Sequence, residues 1–483
     1  MLFNSLEFLV FLPSVFLLYW FVFRSRRWQN LLVVAASYVF YGWWDWRFLL
    51  LIAFTSLCSF GSGLLIEKYG GHRKRQKAVS AANIIVNLAI LGVFKYYNFF
   101  VENLDMLFSS VGWRLDWATM NIILPVGISF YTFQALSYTI DVYQKKLPAT
   151  QDLVEFFAYI SFFPQLVAGP IERATHLLPQ FQRSRSFDYV QAVDGCRQML
   201  WGFFKKVVIA DNCAYYADIA FDNHSEVGSL SLLLGAFFFT IQIYGDFSGY
   251  SSIAIGCAKL FGIKLQTNFK VPYFSRDVAE FWKRWHISLN KWFVDYVYIP
   301  LGGNRVSKSK VVRNIFVIFL LSGLWHGANW TYVTWGAYHA CLFVPLILLN
   351  KNHRYDAALS QGRALPTLKE LANMCLTFVL VMVGWIVFRA TSIEQACEYV
   401  ARMVSLETNS NFGVSLRDSG WLFGVIPLMF GVEWKNRNAE HEFHRVIPSK
   451  VVRYLVYVAL VLAVYFAYMM SMERDNEFIY FQF

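Results

Sequence analysis

The chain has 483 residues, of which 57% are hydrophobic, 19% are aromatic and only 16% are charged. This composition excludes an ordinary water-soluble globular protein and predicts an integral membrane protein that contacts the lipid bilayer. The formal net charge of +11 is explained by basic cytoplasmic loops, which orient membrane spans, so nucleic acid is not an expected partner. The seven cysteines are odd in number and contain no C-x-x-C pattern, which indicates packing residues and not disulfides or metal ligands.

Hydrophobic stretches recur along nearly the whole sequence. Since a spanning helix needs about 20 apolar residues, roughly ten to twelve membrane elements fit. The first of them, Met1 to Phe23, has no basic residue ahead of its apolar core and is interpreted as a retained span, not a signal peptide. The fold class is therefore all-α and polytopic, and we expect one integral membrane domain over residues 1–483. Further spans are predicted near 30–44, 48–66, 81–97, 122–142, 199–210, 230–261, 317–325, 333–349, 374–388, 421–430 and 455–470.

Basic residues cluster in loops that alternate with these spans. The loops at 24–27, 68–77 and 264–313 carry the strongest basic excess, so we expect them all to be cytoplasmic. The stretch 156–171 is short and is interrupted by Pro164, Gly169 and Pro170. Such a pattern is typical of a re-entrant segment, whose irregular backbone must line protein or water.

The segment 277–298 reads DVAEFWKRWHISLNKWFVDYVY, with aromatic residues at helical spacing and basic residues between them. Asp277 and Glu280 form an N-terminal capping pattern. The segment therefore predicts one amphipathic helix along the cytoplasmic interface. His286 falls at the edge of its apolar face. A catalytic role and a purely structural role explain that position equally well.

The segment 322–340 reads SGLWHGANWTYVTWGAYHA and places His326 at a break between two apolar stretches. The spacing of Gly323 and Gly327 predicts close approach of a neighbouring helix. An imidazole within the membrane needs a partner or a hydrated cavity, and it is the side chain best suited to move protons near neutral pH. His326 is therefore the leading catalytic candidate, whereas His339 fits a core position behind an aromatic stripe.

Other motifs give less support to a function. There is no phosphate-binding G-x-x-x-x-G-K-[ST] and no H-E-x-x-H, and residues 245–249 read GDFSG, which lacks the central serine of a nucleophile elbow. No metal site is expected, because His441, Glu442 and His444 match no standard zinc spacing and fit a solvated loop. Asp246, within an apolar helix, is expected to pair with a basic residue.

The motifs FWKRWHISLNKWFVDYVYIPLGGNR (281–305) and SGLWHGANWTYVTWGAYH (322–339) resemble the membrane-bound O-acyltransferase family, in particular its bacterial alginate O-acetyltransferase branch. The stretches LPVGISFYTFQALSYTIDVY, FFPQLVAGPIER and YGDFSGYSSIAIG resemble the same branch in the same order. The resemblance implies that His326 is the catalytic histidine and His286 the second conserved position. It also implies a ring of tilted helices around a central constriction.

The resemblance further implies a multi-pass protein of the cell inner membrane that transfers an acetyl group from acetyl-CoA or another acyl thioester. No permanently bound cofactor is expected, and the cofactor-binding residues are unknown. The expected partners are a polysaccharide acceptor and a periplasmic transferase of the SGNH type. General-base action by His326 on an acceptor hydroxyl is the expected chemistry, with Trp325 or Asn329 as possible oxyanion donors. A polysaccharide or lipid transporter and a silent scaffold are the alternatives that the composition leaves open.

Overall fold

The computed structural model describes residues 1–113, 122–167, 169–355, 363–405, 413–444 and 447–471. Within these ranges the regular elements are all helical. The α-helices are α1 (Leu6–Leu17), α2 (Arg26–Gly42), α3 (Phe48–Lys68), α4 (Arg73–Ser110), α5 (Ile128–Tyr143), α6 (Leu153–Ser161), α7 (Phe163–Leu166), α8 (Ala174–Phe181), α9 (Tyr189–Phe203), α10 (Asp211–Asp222), α11 (Ser229–Leu260), α12 (Val278–Arg284), α13 (Ile287–Phe293), α14 (Lys308–His326), α15 (Trp330–Leu348), α16 (Leu368–Arg389), α17 (Ile393–Val404), α18 (Leu416–Ser419), α19 (Leu422–Asn436) and α20 (Lys450–Ser471). Leu18–Val22, Phe204–Ala210 and Val294–Tyr298 are π-helical, and Pro272–Phe274 and Gly303–Arg305 form 3₁₀ turns.

Six of the helices in the described ranges are long and apolar enough to cross a membrane: α3, α4, α11, α15, α16 and most of α20. This confirms a membrane protein with several spans. The other predicted spans lie in helices that are shorter or, in the case of α14, less apolar, and α5 is largely buried inside the protein. The total of ten to twelve membrane elements stays a prediction. The predicted re-entrant stretch forms α6 and α7, and its residue 168 lies outside the described part of the chain.

The chain divides into two compact units, of which the first contains Met1–Val193 and Cys257–Gln266. Polar side chains join its long apolar helices. Asn83 of α4 donates through Nδ2 to the Thr139 hydroxyl of α5 at 2.7 Å, and Ser62 of α3 lies 3.2 Å from the same hydroxyl. Gly63 leaves room for the Tyr138 ring, which would collide with a β-carbon there. Small and hydroxylated residues therefore let α3, α4 and α5 pack closely, as is common between membrane helices.

The second unit contains Asp194–Gly256 and Thr267–Phe483 and carries all the candidate site residues. Its α14 and α15 form a tight hairpin. A β-carbon on Gly323 would collide with the backbone of Tyr332, and one on Gly327 would collide with the Tyr332 ring. The predicted role of both glycines in close packing is confirmed. This packing fixes the end of α14, where His326 lies.

A buried charge network holds α11 in the second unit. Lys206, in the π-helical turn after α9, lies 2.8 Å from Asp211 and 2.8 Å from Asp246. All three side chains are nearly inaccessible to solvent. The predicted pairing of Asp246 with a basic residue is confirmed. Because Asp246 precedes Phe247 on α11, the network fixes the helix position that contacts the candidate site.

The predicted amphipathic helix at 277–298 differs from the structure. Asp277 caps α12 by accepting the Glu280 N–H at 2.8 Å, as predicted, but the helix ends at Arg284 and α13 begins at Ile287. Trp282 and Trp285 are buried in the protein. One continuous helix is therefore wrong for the described segment, whereas its location along the cytoplasmic interface stays a prediction. The aromatic face contacts other helices of its own unit. The periodicity of the segment indicates an apolar face but does not show what that face contacts.

Candidate active site

His326 is the last residue of α14, and Gly327 follows it in extended conformation. The side chain is buried, with 5% of the residue exposed. Its imidazole lies edge-on to the Trp335 and Phe388 rings, with centroid distances of 5.2 Å in both cases. The prediction of a histidine at a helix break is confirmed in its geometry. Aromatic rings from α15 and α16 thus enclose His326 on two sides.

His286 lies in the break between α12 and α13 and is completely buried. Its φ of 43° is in the left-handed region, which costs a residue other than glycine roughly 1–2 kcal/mol. Its Nδ1 lies 3.0 Å from Oδ1 of Asn268, and its ring contacts Phe247 of α11 at 4.7 Å. The position differs from the predicted edge of a surface helix. A strained backbone that points an imidazole into the interior is typical of functional sites.

The Trp325 indole lies between the two histidines. Its centroid is 5.8 Å from the His286 ring and 4.9 Å from the His326 ring. Both imidazoles therefore contact the same aromatic side chain, although 40 residues separate them in the sequence. The structure brings the two predicted site residues into one buried cluster.

His339, the third histidine of the two motifs, has a different environment. It is fully buried on α15, and its ring contacts Trp282 at 5.0 Å and Trp335 at 5.1 Å. Neither ring nitrogen has a hydrogen-bond partner in the part of the chain that the structure describes. The expected core position is confirmed. The ring is held by aromatic packing and not by a backbone carbonyl.

Asn329 is engaged in local structure. Its Oδ1 caps α15 by accepting the Thr331 N–H at 3.0 Å, and its Nδ2 donates to the Thr391 carbonyl at 3.0 Å. Both the oxygen and the nitrogen of the amide thus form hydrogen bonds within the protein. The suggestion that Asn329 stabilises an oxyanion is not supported by these contacts.

The segment that contains His441 also differs from its prediction. His441 is buried, and its Nε2 lies 3.1 Å from Asp194 Oδ1. His444 Nδ1 lies 3.3 Å from the same oxygen, so the three side chains have the spacing of a possible metal site. However, Phe443 N–H donates to His441 Nδ1, which leaves Nε2 protonated and donating to Asp194 in the neutral ring. The cluster is a hydrogen-bonded network and not the predicted solvated loop.

A large apolar groove lies elsewhere in the second unit. It has a volume of about 1070 Å³ and is lined by residues of the π-turn, α19 and α20, including Phe204, Val425 and Leu460. Its lining includes neither His286 nor His326. We therefore locate the candidate site by the histidine cluster and not by cavity size.

Two contact residues of the cluster, Asn268 and Phe388, lie outside the recognised motifs of the sequence. A third, Phe247, lies within YGDFSGYSSIAIG but is one of many aromatic residues of α11. Only the fold brings them to the histidines. Asn268 is polar but fully buried. Hydrophobic periodicity does not identify such a residue, because it assigns polar side chains to the exposed face.

Comparison with known proteins identifies a family and several relatives. Residues 38–354 match the model of MBOAT, the membrane-bound O-acyltransferase family. The chain is 41% identical over 409 residues to the probable alginate O-acetylase AlgI of Pseudomonas aeruginosa, covering 84% of this chain and 76% of the relative. It is 33% identical over 446 residues to the peptidoglycan O-acetyltransferase of Helicobacter pylori, covering 86% and 81%.

A more distant relative is the teichoic acid D-alanyltransferase of Bacillus subtilis, 29% identical over 280 residues, which cover 56% of this chain and 69% of the relative. The matched family region includes both His286 and His326. It ends before α16 and the groove formed with α20. On these grounds the chain belongs to the membrane-bound O-acyltransferase family.

Proposed function

We propose that this chain is an O-acetyltransferase of the cell inner membrane, which passes an acetyl group from a cytoplasmic thioester across the membrane for the modification of an extracytoplasmic polysaccharide. The observation that carries the proposal is the Trp325 indole, which contacts two buried imidazoles in a member of an O-acyltransferase family. Acetyl transfer needs a proton acceptor near the reacting hydroxyl, and histidine supplies one near neutral pH.

In the proposed reaction His326 accepts the proton of the acceptor hydroxyl while the hydroxyl oxygen attacks the thioester carbonyl. A C–O bond forms and the C–S bond breaks. The departing thiolate then takes the proton from the His326 imidazolium, so that the products are an ester and a thiol. General-base action of this kind contributes roughly 10²- to 10⁴-fold to a rate, and fixed orientation of the reactants adds to it.

The aromatic surroundings suit this reaction. Trp335 and Phe388 pack against His326, and Phe247 packs against His286. Such walls limit the water that reaches the imidazoles. Since a thioester also reacts with water, a site that excludes water favours transfer over hydrolysis.

The names of two relatives bear on the acceptor, and the donor is part of the proposal. Two of them are named for O-acetylation of alginate and of peptidoglycan, which supports a polysaccharide acceptor here. We propose acetyl-CoA or another acyl thioester as the donor and an SGNH-type periplasmic transferase as the protein that completes the modification. We also propose that residues 1–483 serve as one acyltransferase domain, because the family match extends over residues of both compact units.

Reconstitution into sealed vesicles tests the direction of transfer. Inside-out vesicles would carry an alginate oligosaccharide in the lumen, and acetyl-CoA labelled in its acetyl group would be added outside. We expect labelled ester in the lumen of vesicles that also enclose an SGNH-type transferase, with the wild-type protein and not with the His326→Ala variant. A parallel sample without the transferase measures the contribution of such a partner.

The same experiment separates the proposal from its main alternative. A transporter would move the thioester or the oligosaccharide intact across the bilayer, without forming an ester. Labelled acetyl-CoA recovered unchanged in the lumen, with no ester in either sample, would contradict the proposed function.

A further inference from the structure

The environment of His286 indicates how its protons are arranged. Asn268 is fully buried, and its Oδ1 faces the break between α12 and α13. The Ser288 backbone N–H lies 3.4 Å from that atom and the Ser288 hydroxyl 2.8 Å from it. A backbone N–H can only donate, so the atom that faces it must be the carbonyl oxygen of the amide. The orientation of Asn268 follows from this contact.

The other end of the amide is consistent with that orientation. Nδ2 of Asn268 donates to the Ser251 hydroxyl of α11 at 3.1 Å. A hydroxyl accepts as readily as it donates. A reversed amide would place its NH₂ group against the Ser288 N–H, so that two donors would face each other. At a buried position an unpaired donor is costly.

The proton on His286 follows in turn. Its Nδ1 lies 3.0 Å from the Asn268 oxygen, which can only accept, so Nδ1 carries the hydrogen. Burial lowers the pKa of His286 to about 3, and a ring that is neutral at physiological pH has only one N–H. The lone pair is therefore on Nε2.

The backbone around Asn268 reinforces the contact. The Ile287 N–H donates to the Asn268 carbonyl at 2.9 Å, and the Lys270 N–H donates to the Arg284 carbonyl at 3.0 Å. The segment that carries Asn268 is thus tied to both sides of the helix break. These backbone hydrogen bonds hold the strained backbone of His286 beside the Asn268 side-chain amide.

We propose that Asn268 is a positioning residue that fixes the tautomer of His286, with the proton on Nδ1 and the lone pair on Nε2. The importance of this for acetyl transfer rests on the proposed function above. In that reaction Nε2 accepts a hydrogen bond from an O–H or N–H group of a substrate. The opposite tautomer would present a hydrogen there and repel the same group.

Nitrogen-15 NMR of histidine-labelled protein in membranes tests the proposal, because protonated and unprotonated ring nitrogens have well-separated shifts. A His286→Gln variant identifies the His286 signals. We expect a protonated Nδ1 in the wild-type protein, and a mixed or reversed tautomer in Asn268→Leu. Asn268→Asp keeps an acceptor at the same place, so it should keep the wild-type tautomer.

Ser251→Ala is the matched control, because it removes a hydrogen bond from the same cluster without removing the acceptor for Nδ1. It should leave the tautomer unchanged. In the transfer assay we expect kcat of Asn268→Leu to fall at least about tenfold, because the wrong tautomer of an active-site histidine slows catalysis strongly. Asn268→Asp and Ser251→Ala should stay much closer to the wild type.

The two readouts separate the two proposals. An unchanged His286 tautomer in folded Asn268→Leu protein would overturn the positioning role, whatever the activity. A changed tautomer with full transfer would instead support the positioning role and contradict the need for His286 in catalysis. If Asn268→Leu does not fold, the NMR spectra of Asn268→Asp and the wild type test the proposal instead. An unprotonated His286 Nδ1 in both proteins would also overturn the positioning role.

Discussion

Replacing His326 by alanine is expected to lower acetyl transfer by roughly 10²- to 10⁴-fold, the usual contribution of a general base. The imidazole is buried against Trp335 and Phe388, so its loss removes the proposed proton acceptor and leaves a small apolar space. The substitution introduces neither charge nor bulk. The measurement is the rate of labelled acetyl transfer by purified protein, with the melting temperature recorded in parallel.

His339→Leu provides the matched control for this substitution. It removes another buried histidine from the same helical hairpin, but one whose ring nitrogens make no hydrogen bond within the described residues. Leucine is of similar size and apolar, so transfer should stay within a few-fold of the wild type. A His326→Ala protein that melts normally and transfers acetyl at the wild-type rate would rule out His326 as the base.

Replacing Lys206 by methionine is expected to destabilise the protein by about 3–5 kcal/mol, because it leaves two buried carboxylates without their counter-charge. Asp211 and Asp246 each lie 2.8 Å from the lysine nitrogen. The sensitive measurement is the thermal unfolding midpoint in detergent. The neighbouring Phe247 contacts His286, so residual folded protein should also show slower transfer.

Two variants sharpen the interpretation of this result. Arg47→Met breaks an exposed ion pair with Asp45, and surface pairs of this kind contribute little, so the unfolding midpoint should not change measurably. Adding Asp211→Asn and Asp246→Asn to Lys206→Met removes the unpaired charges and should recover much of the lost stability. A Lys206→Met protein as stable as the wild type would show that the network does not hold α11.

The membrane character and the position of His326 at a helix end could be predicted from the sequence because each leaves a local signal. Apolar length predicts spans such as α3, α11 and α16, and a polar interruption marks His326 at the end of α14. Glycine spacing likewise predicts the close α14–α15 hairpin. In each case the physical cause lies within a few residues of its effect.

The break at His286 could not be predicted, because its cause lies outside the segment. The periodicity of 277–298 fits one helix, and helical spacing alone does not show whether the apolar face contacts lipid or protein. The backbone and side chain of Asn268 bond to Ile287 and Ser288 and hold the break from another part of the chain. The buried position of His441 could not be predicted for a similar reason, since its partner Asp194 is 247 residues away.

We propose that His326 and His286 act at one reacting centre beside Trp325. A double-mutant cycle tests this proposal, with transfer rates measured for His326→Ala, His286→Ala and the double variant. When two residues act in the same step, the second substitution lowers the rate little once the first has been made. We therefore expect the double variant to be about as slow as the slower single variant. Losses that multiply, or single variants with wild-type rates, would contradict a shared site.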